Sequence, residues 1–197
     1  MLKIKDGKPL YRCYLALLSV GATISDSIAT GPAKTVARME DYVRAHQSSS
    51  ISAEALRTVF ALQDGVTKDH RALAEGRGGT GLQDIFELFE DLGATPSPVH
   101  DAAMVIISGS TCIRLAVPYM KGHRKSNNSE RELWFNQLNE PSSPPDRRHV
   151  FALPGRLNGT LVSMVLTLDP LYLEVTANAD DQSGSTHARR GKEPSRT

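Results

Sequence analysis

The segment Gly76-Arg77-Gly78-Gly79-Thr80-Gly81-Leu82 constrains this chain more than any other, because it runs without interruption into a strongly periodic helix pattern. Leu82, Ile85, Phe86, Leu88, Phe89 and Leu92 recur at spacings of three and four, and Gly93 supplies a C-terminal stop. A helix with so broad an apolar face requires a sheet or other helices to bury it. Its first turn leaves backbone amides unpaired and carries the positive end of the helix dipole, which favours anions in the glycine loop. Glycines let the backbone approach a phosphate closely, Thr80 can donate a hydroxyl, and Arg77 can add charge. The loop from Gly76 to Gly81 is therefore a candidate nucleotide-phosphate site, with Leu82 at its exit.

The flanking segments predict an α/β domain. Residues 10–19 are an aliphatic and tyrosine run broken only by Arg12, expected to be a largely buried strand ending at Gly21. Val36, Met39 and Val43 predict an amphipathic helix over 32–46. Ser52 is placed to cap a second helix, whose buried face is Leu56, Val59, Phe60 and Leu62 and whose end is Asp64-Gly65. Residues 66–80 are polar and glycine-rich, which predicts a functional surface loop with 66–75 as a lid. Two β-rich runs, 102–108 and 111–117, are separated by Gly109-Ser110, a pair suited to a hairpin turn.

Residues 121–148 turn polar and proline-rich and are expected to form an insertion beyond the core, with 133–138 around Trp134 as a short strand. Leu161, Val162, Val165, Leu166 and Leu168 predict a buried strand over 159–168. One domain spanning 1–174 follows, with 175–197 as a disordered tail too polar to offset its ordering entropy.

Composition narrows the function classes. The 197 residues are 40% hydrophobic, enough for one sizeable core. The 23 basic and 22 acidic side chains nearly cancel, so no electrostatic footprint for nucleic acid is expected. Cys13 and Cys112 sit singly in apolar runs, which suits reduced thiols, and no segment approaches the ~20 apolar residues of a membrane helix. A soluble, cytoplasmic protein without a membrane partner is the expectation. The six histidines lack ligand spacing, so no metal site is expected from them. The segment fits G-x-G-x-x-G literally, but a polar loop precedes it where the dinucleotide fingerprint requires a strand.

In their order along the chain, four features resemble the GHKL superfamily of ATP-binding domains, which includes histidine kinases, gyrase B, Hsp90 and MutL. Ser19-Val20-Gly21-Ala22-Thr23-Ile24, ending a strand, is similar to the family's D-x-G-x-G-I box. A variable lid follows, and Gly78-Gly79-Thr80-Gly81-Leu82 resembles the G-x-G-x-G-L box opening a helix. Asn158-Gly159-Thr160-Leu161-Val162 resembles the late G-T motif before the closing strand. The resemblance implies a two-layer α/β sandwich, a mixed sheet with helices on one face, holding ATP between helices and lid. It places Gly21 and Thr160 near the adenine and Gly78, Gly79, Thr80 and Gly81 at the phosphates.

Two departures shape the functional expectation. Ser19 stands where the family has the aspartate that hydrogen-bonds the adenine amino group. The family's N-box helix, with its Mg²⁺-holding asparagine and water-activating acid, has no counterpart in residues 1–9, so a domain truncated at its N-terminus is expected. Weak ATP binding without efficient turnover follows, with no Mg²⁺ ligand in the expected place. The rival expectation is a protein-interaction domain on the same scaffold, with a protein partner instead of a nucleotide.

Overall fold

In chain order the strands and helices are β1 (Lys3–Lys5), β2 (Lys8–Val20), α1 (Ile24–Ala29), α2 (Ala33–Ala45), α3 (Ala53–Ala61), α4 (His70–Ala74), α5 (Gly81–Gly93), β3 (Ala103–Leu115), β4 (His123–Arg124), β5 (Arg131–Glu132) and β6 (Val150–Leu168). The computed structural model describes residues 3–5, 8–75, 79, 81–93, 103–124 and 130–168. The expected tail at 175–197 lies outside them. The fold is α/β. Its main sheet has the order β1-β2-β6-β3, and every pairing among the described strands is antiparallel, so the expected mixed sheet is not found there.

The helices start where their capping residues sit. Thr23 accepts from the Asp26 amide at 3.0 Å to open α1, and Ser52 accepts from the Ala55 amide at 3.2 Å to open α3. Pro32 precedes α2, where its missing amide hydrogen costs nothing. Helices α1 and α3 pack against β3, and α3 and α5 against β6. Met104, Ile106, Met164 and Leu166 meet Leu56, Val59, Phe86 and Phe89 in one core. No helix among the described residues is long and apolar enough to cross a membrane.

Three expectations change. First, Gly109-Ser110 is not a hairpin turn: β3 runs continuously from Ala103 to Leu115. Both of its halves pair with β6, Met104 with Met164 and Ile113 with Val150, and the register shifts around Gly109 are absorbed by extra residues of β6 near 153–159. Second, β2 is not buried. Leu15 and Leu17, on the helix side of the sheet, are about half exposed because no helix among the described residues covers them as α1 and α3 cover β3, and Leu18, Tyr14 and Val20, on the opposite face, are 62, 67 and 79% exposed. Third, part of the expected insertion 121–148 belongs to the core.

Leu133, Trp134 and Phe135 are buried in the core, and 133–138 does not form a strand. The Gln63 side chain explains how an irregular segment can be buried there. Its amide donates to the Leu133 carbonyl at 2.8 Å and accepts from the Leu133 amide at 2.7 Å, so a side chain satisfies the backbone in place of a neighbouring strand. Trp134 completes an aromatic cluster with Tyr42 and Phe60, at 5.0 and 6.4 Å between ring centroids.

Candidate functional site

The first and last sequence boxes meet at one end of the sheet. Ser19 pairs with Thr160 and Val20 with Gly159 across β2 and β6, while Ser108 pairs with Thr160 from β3. Directly paired residues share a face, so Ser19, Thr160 and Ser108 form a polar row across three strands. The row lies on the core face, because Met164 and Met104, an even number of residues away on the same strands, are buried. Ser108 and Thr160 hydroxyls are 2.9 Å apart, and Ser108 Oγ also accepts from the Ile24 amide at 2.8 Å. Thr160 is thus linked through Ser108 to the first turn of α1.

Gly21 closes the same corner, its amide donating to the Asn158 carbonyl at 3.1 Å. Gly159 lets the two strands approach: a Cβ there would collide with the Ser19 carbonyl oxygen, and its φ of +140° is strained for other residues. Arg156, on the β6 excursion, ties the corner to the helices. Its guanidinium reaches Asp26 of α1 at 3.1 Å and Glu54 of α3 at 2.6 Å.

A cleft of about 220 Å³ opens beside this corner. It is lined by Ile24, Ser27 and Ile28 of α1, Ala61 of α3, Val66, Thr67 and Lys68, and Leu82 of α5. Residues next to the first box, from the expected lid and from the glycine box therefore share one apolar space, with Lys68 among its lining residues. The lid is only partly a free loop. Val66 is buried in the core, and α4 lies within it.

Of the glycine loop itself, Gly76, Arg77, Gly78 and Thr80 lie outside the described residues. Gly79 has φ +80°, and a Cβ there would stand 2.5 Å from the Val66 amide nitrogen, so glycine is required by both conformation and space. Gly81 opens α5, and Leu82 lines the cleft.

The start of α5 is fixed by a side chain the sequence did not single out. Arg131, 10% exposed, donates from Nη2 to Asp84 at 2.5 Å and from Nη1 to Glu87 at 2.5 Å, and its Nε lies 3.5 Å from Asp64. The Asp84 hydrogen bond is the chief influence raising the Arg131 pKa above its ordinary value. Asp84 and Glu87, although half-exposed, thereby anchor the helix. Ser108 was also missed as a site residue, because its neighbours Gly109-Ser110 resemble a turn; Arg131 and Arg156 carry no local signal at all.

Among the described residues no group of three or more His, Cys, Asp or Glu side chains could hold a metal ion. No protein-family model matches this chain, and neither a curated protein nor a solved structure matches it.

Proposed function

We propose that this chain is a nucleotide-binding module of the GHKL type, a two-layer sandwich that binds ATP weakly and without efficient turnover. The observation that carries this reading is the meeting of the first and last boxes, with Gly21 bonded to the Asn158 carbonyl and Thr160 linked through Ser108 to the Ile24 amide. The adenine belongs beside the Ser19 and Thr160 row, and the adjoining cleft gives the nucleotide an apolar wall. Phosphates are assigned to the loop from Gly76 to Gly81, where the 13-residue helix α5 begins and its dipole favours anions. A cytoplasmic location accords with Cys13 and Cys112 being free thiols.

Calorimetric titration with ATP, with and without Mg²⁺, tests the reading. Saturable binding is expected in both conditions. Ser27→Trp fills the cleft and is expected to abolish binding while leaving the circular dichroism spectrum unchanged. No saturation up to millimolar ATP overturns the proposal. The exposed apolar surface of β2 favours the second reading, a protein-interaction domain, which that outcome would leave standing.

A further inference from the structure

We propose that β2 is a homodimerisation strand, pairing antiparallel across a two-fold axis with β2 of a second copy of this chain. The inference does not rest on the nucleotide reading. Among the described residues, the strand between Tyr11 and Val20 is bonded to β6 on one edge, and on the other edge β1 pairs with Lys8, Pro9 and Leu10 alone. An unpaired edge of this length is a template for another strand.

Both faces of the strand are apolar. Tyr11, Leu15 and Leu17 lie on the core side, and Tyr14, Leu18 and Val20 on the other. Tyr11, Leu15 and Leu17 are 47 to 51% exposed and Leu18, Tyr14 and Val20 are 62 to 79% exposed, so each face carries a cluster of exposed apolar side chains of the kind that marks an interaction site. A docked helix would cover one face and leave the edge amides and carbonyls unpaired. A paired strand satisfies the edge and supplies cross-strand neighbours on both faces.

The charge pattern is self-compatible. Arg12 is the one charged residue from 11 to 20, and its guanidinium lies 5.5 Å from the Tyr14 ring centroid. Antiparallel self-pairing places one residue on the axis opposite its own copy. Centring on Ala16 uses the free edge to Val20 and stays clear of β1. It sets Leu15 against the partner's Leu17 and Tyr14 against the partner's Leu18. Arg12 then faces the partner's Val20, so the like charges sit at opposite ends.

Sedimentation equilibrium of the full chain tests this. A dimer is expected, and Leu18→Lys is expected to raise its dissociation constant at least ~10-fold through a charge repeated at both ends of the interface. Leu18 is 62% exposed, so the variant is expected to keep its fold, checked by circular dichroism. Ala16→Cys in a Cys13→Ser, Cys112→Ser background is expected to form an interchain disulfide on oxidation, since residues on the axis fall within bridging distance. A wild-type monomer at ~100 μM overturns the proposal. So does a dimer that Leu18→Lys leaves intact and Ala16→Cys does not cross-link, or protection of β2 amides by another segment of the same chain.

Discussion

Strands β3 and β2 flank the same central strand, are the same length and have similarly apolar sequences, yet one is buried and the other is not. Met104, Ile106, Ile113 and Leu115 of β3 are at most 1% exposed, whereas Leu15 and Leu17 on the same side of β2 are 47 and 51% exposed. Both pair with β6, so hydrogen bonding does not distinguish them. What differs is the helical layer: α1 and α3 stand over β3. Apolar composition makes burial favourable, but the element that supplies the cover decides where it happens.

The comparison is broken most directly by truncating one residue on each strand. Ile106→Ala is expected to cost about 3 kcal/mol, and Leu17→Ala less than ~1 kcal/mol in chemical denaturation at monomeric concentrations. Equal losses would mean that β2 is covered in solution. A smaller effect tests what holds the cover in place. Arg131→Met removes the cation shared by Asp64, Asp84 and Glu87 and is expected to cost about 2 kcal/mol, moderated by the half-exposed positions of Asp84 and Glu87. Hydrogen exchange should then rise in α5 and β6 before it rises in β2.

The smallest effect is electrostatic and lies at the far end of β3. The Asp146 amide donates to the Phe135 carbonyl at 2.6 Å, and the Asp146 carboxylate accepts from the side chain and backbone of Arg148. These bonds, the side-chain one foremost, hold the carboxyl down to about 2. A depressed pKa adds stability above the unfolded carboxyl value and loses it as pH falls from about 4 to about 2. Asp146→Asn is expected to flatten stability in that window only, and modestly, since Arg148 is 86% exposed to screening solvent.

Much of this arrangement was legible in the sequence. Ser52 and Leu56 to Leu62 mark α3, Leu82 to Leu92 mark α5, and Leu161 to Leu168 mark the closing half of β6, because caps and periodicity are local signals. The errors arise where a distant partner overrides a local preference. Gly109-Ser110 has turn chemistry, but both flanking runs find the same long strand, and β6 loops out instead. The Leu133-Trp134-Phe135 triplet looks like an apolar interruption in a polar stretch until Gln63, 70 residues earlier, satisfies its backbone. Of the candidate site, Gly21 and Thr160 were nameable from their boxes. Ser108, which joins them to α1, was not, since nothing in Ile107-Ser108-Gly109 indicates a bridging hydroxyl.

That bridge also bears on what the corner would recognise under the proposed function. Ser108 Oγ is occupied by the Ile24 amide, but the hydroxyl hydrogens it and Thr160 carry are free to rotate about their C–O bonds. If Ser108 donates to Thr160, the Thr160 hydrogen is left to point outward; if Thr160 donates to Ser108, Thr160 presents only lone pairs. The neighbouring Ser19 has the same versatility. A carboxylate at Ser19 would accept and nothing more, and would read an exocyclic amine against a carbonyl. A row of hydroxyls reverses polarity without moving a heavy atom, so on the proposed nucleotide reading this corner would tolerate both amino- and keto-bearing rings rather than discriminate between them.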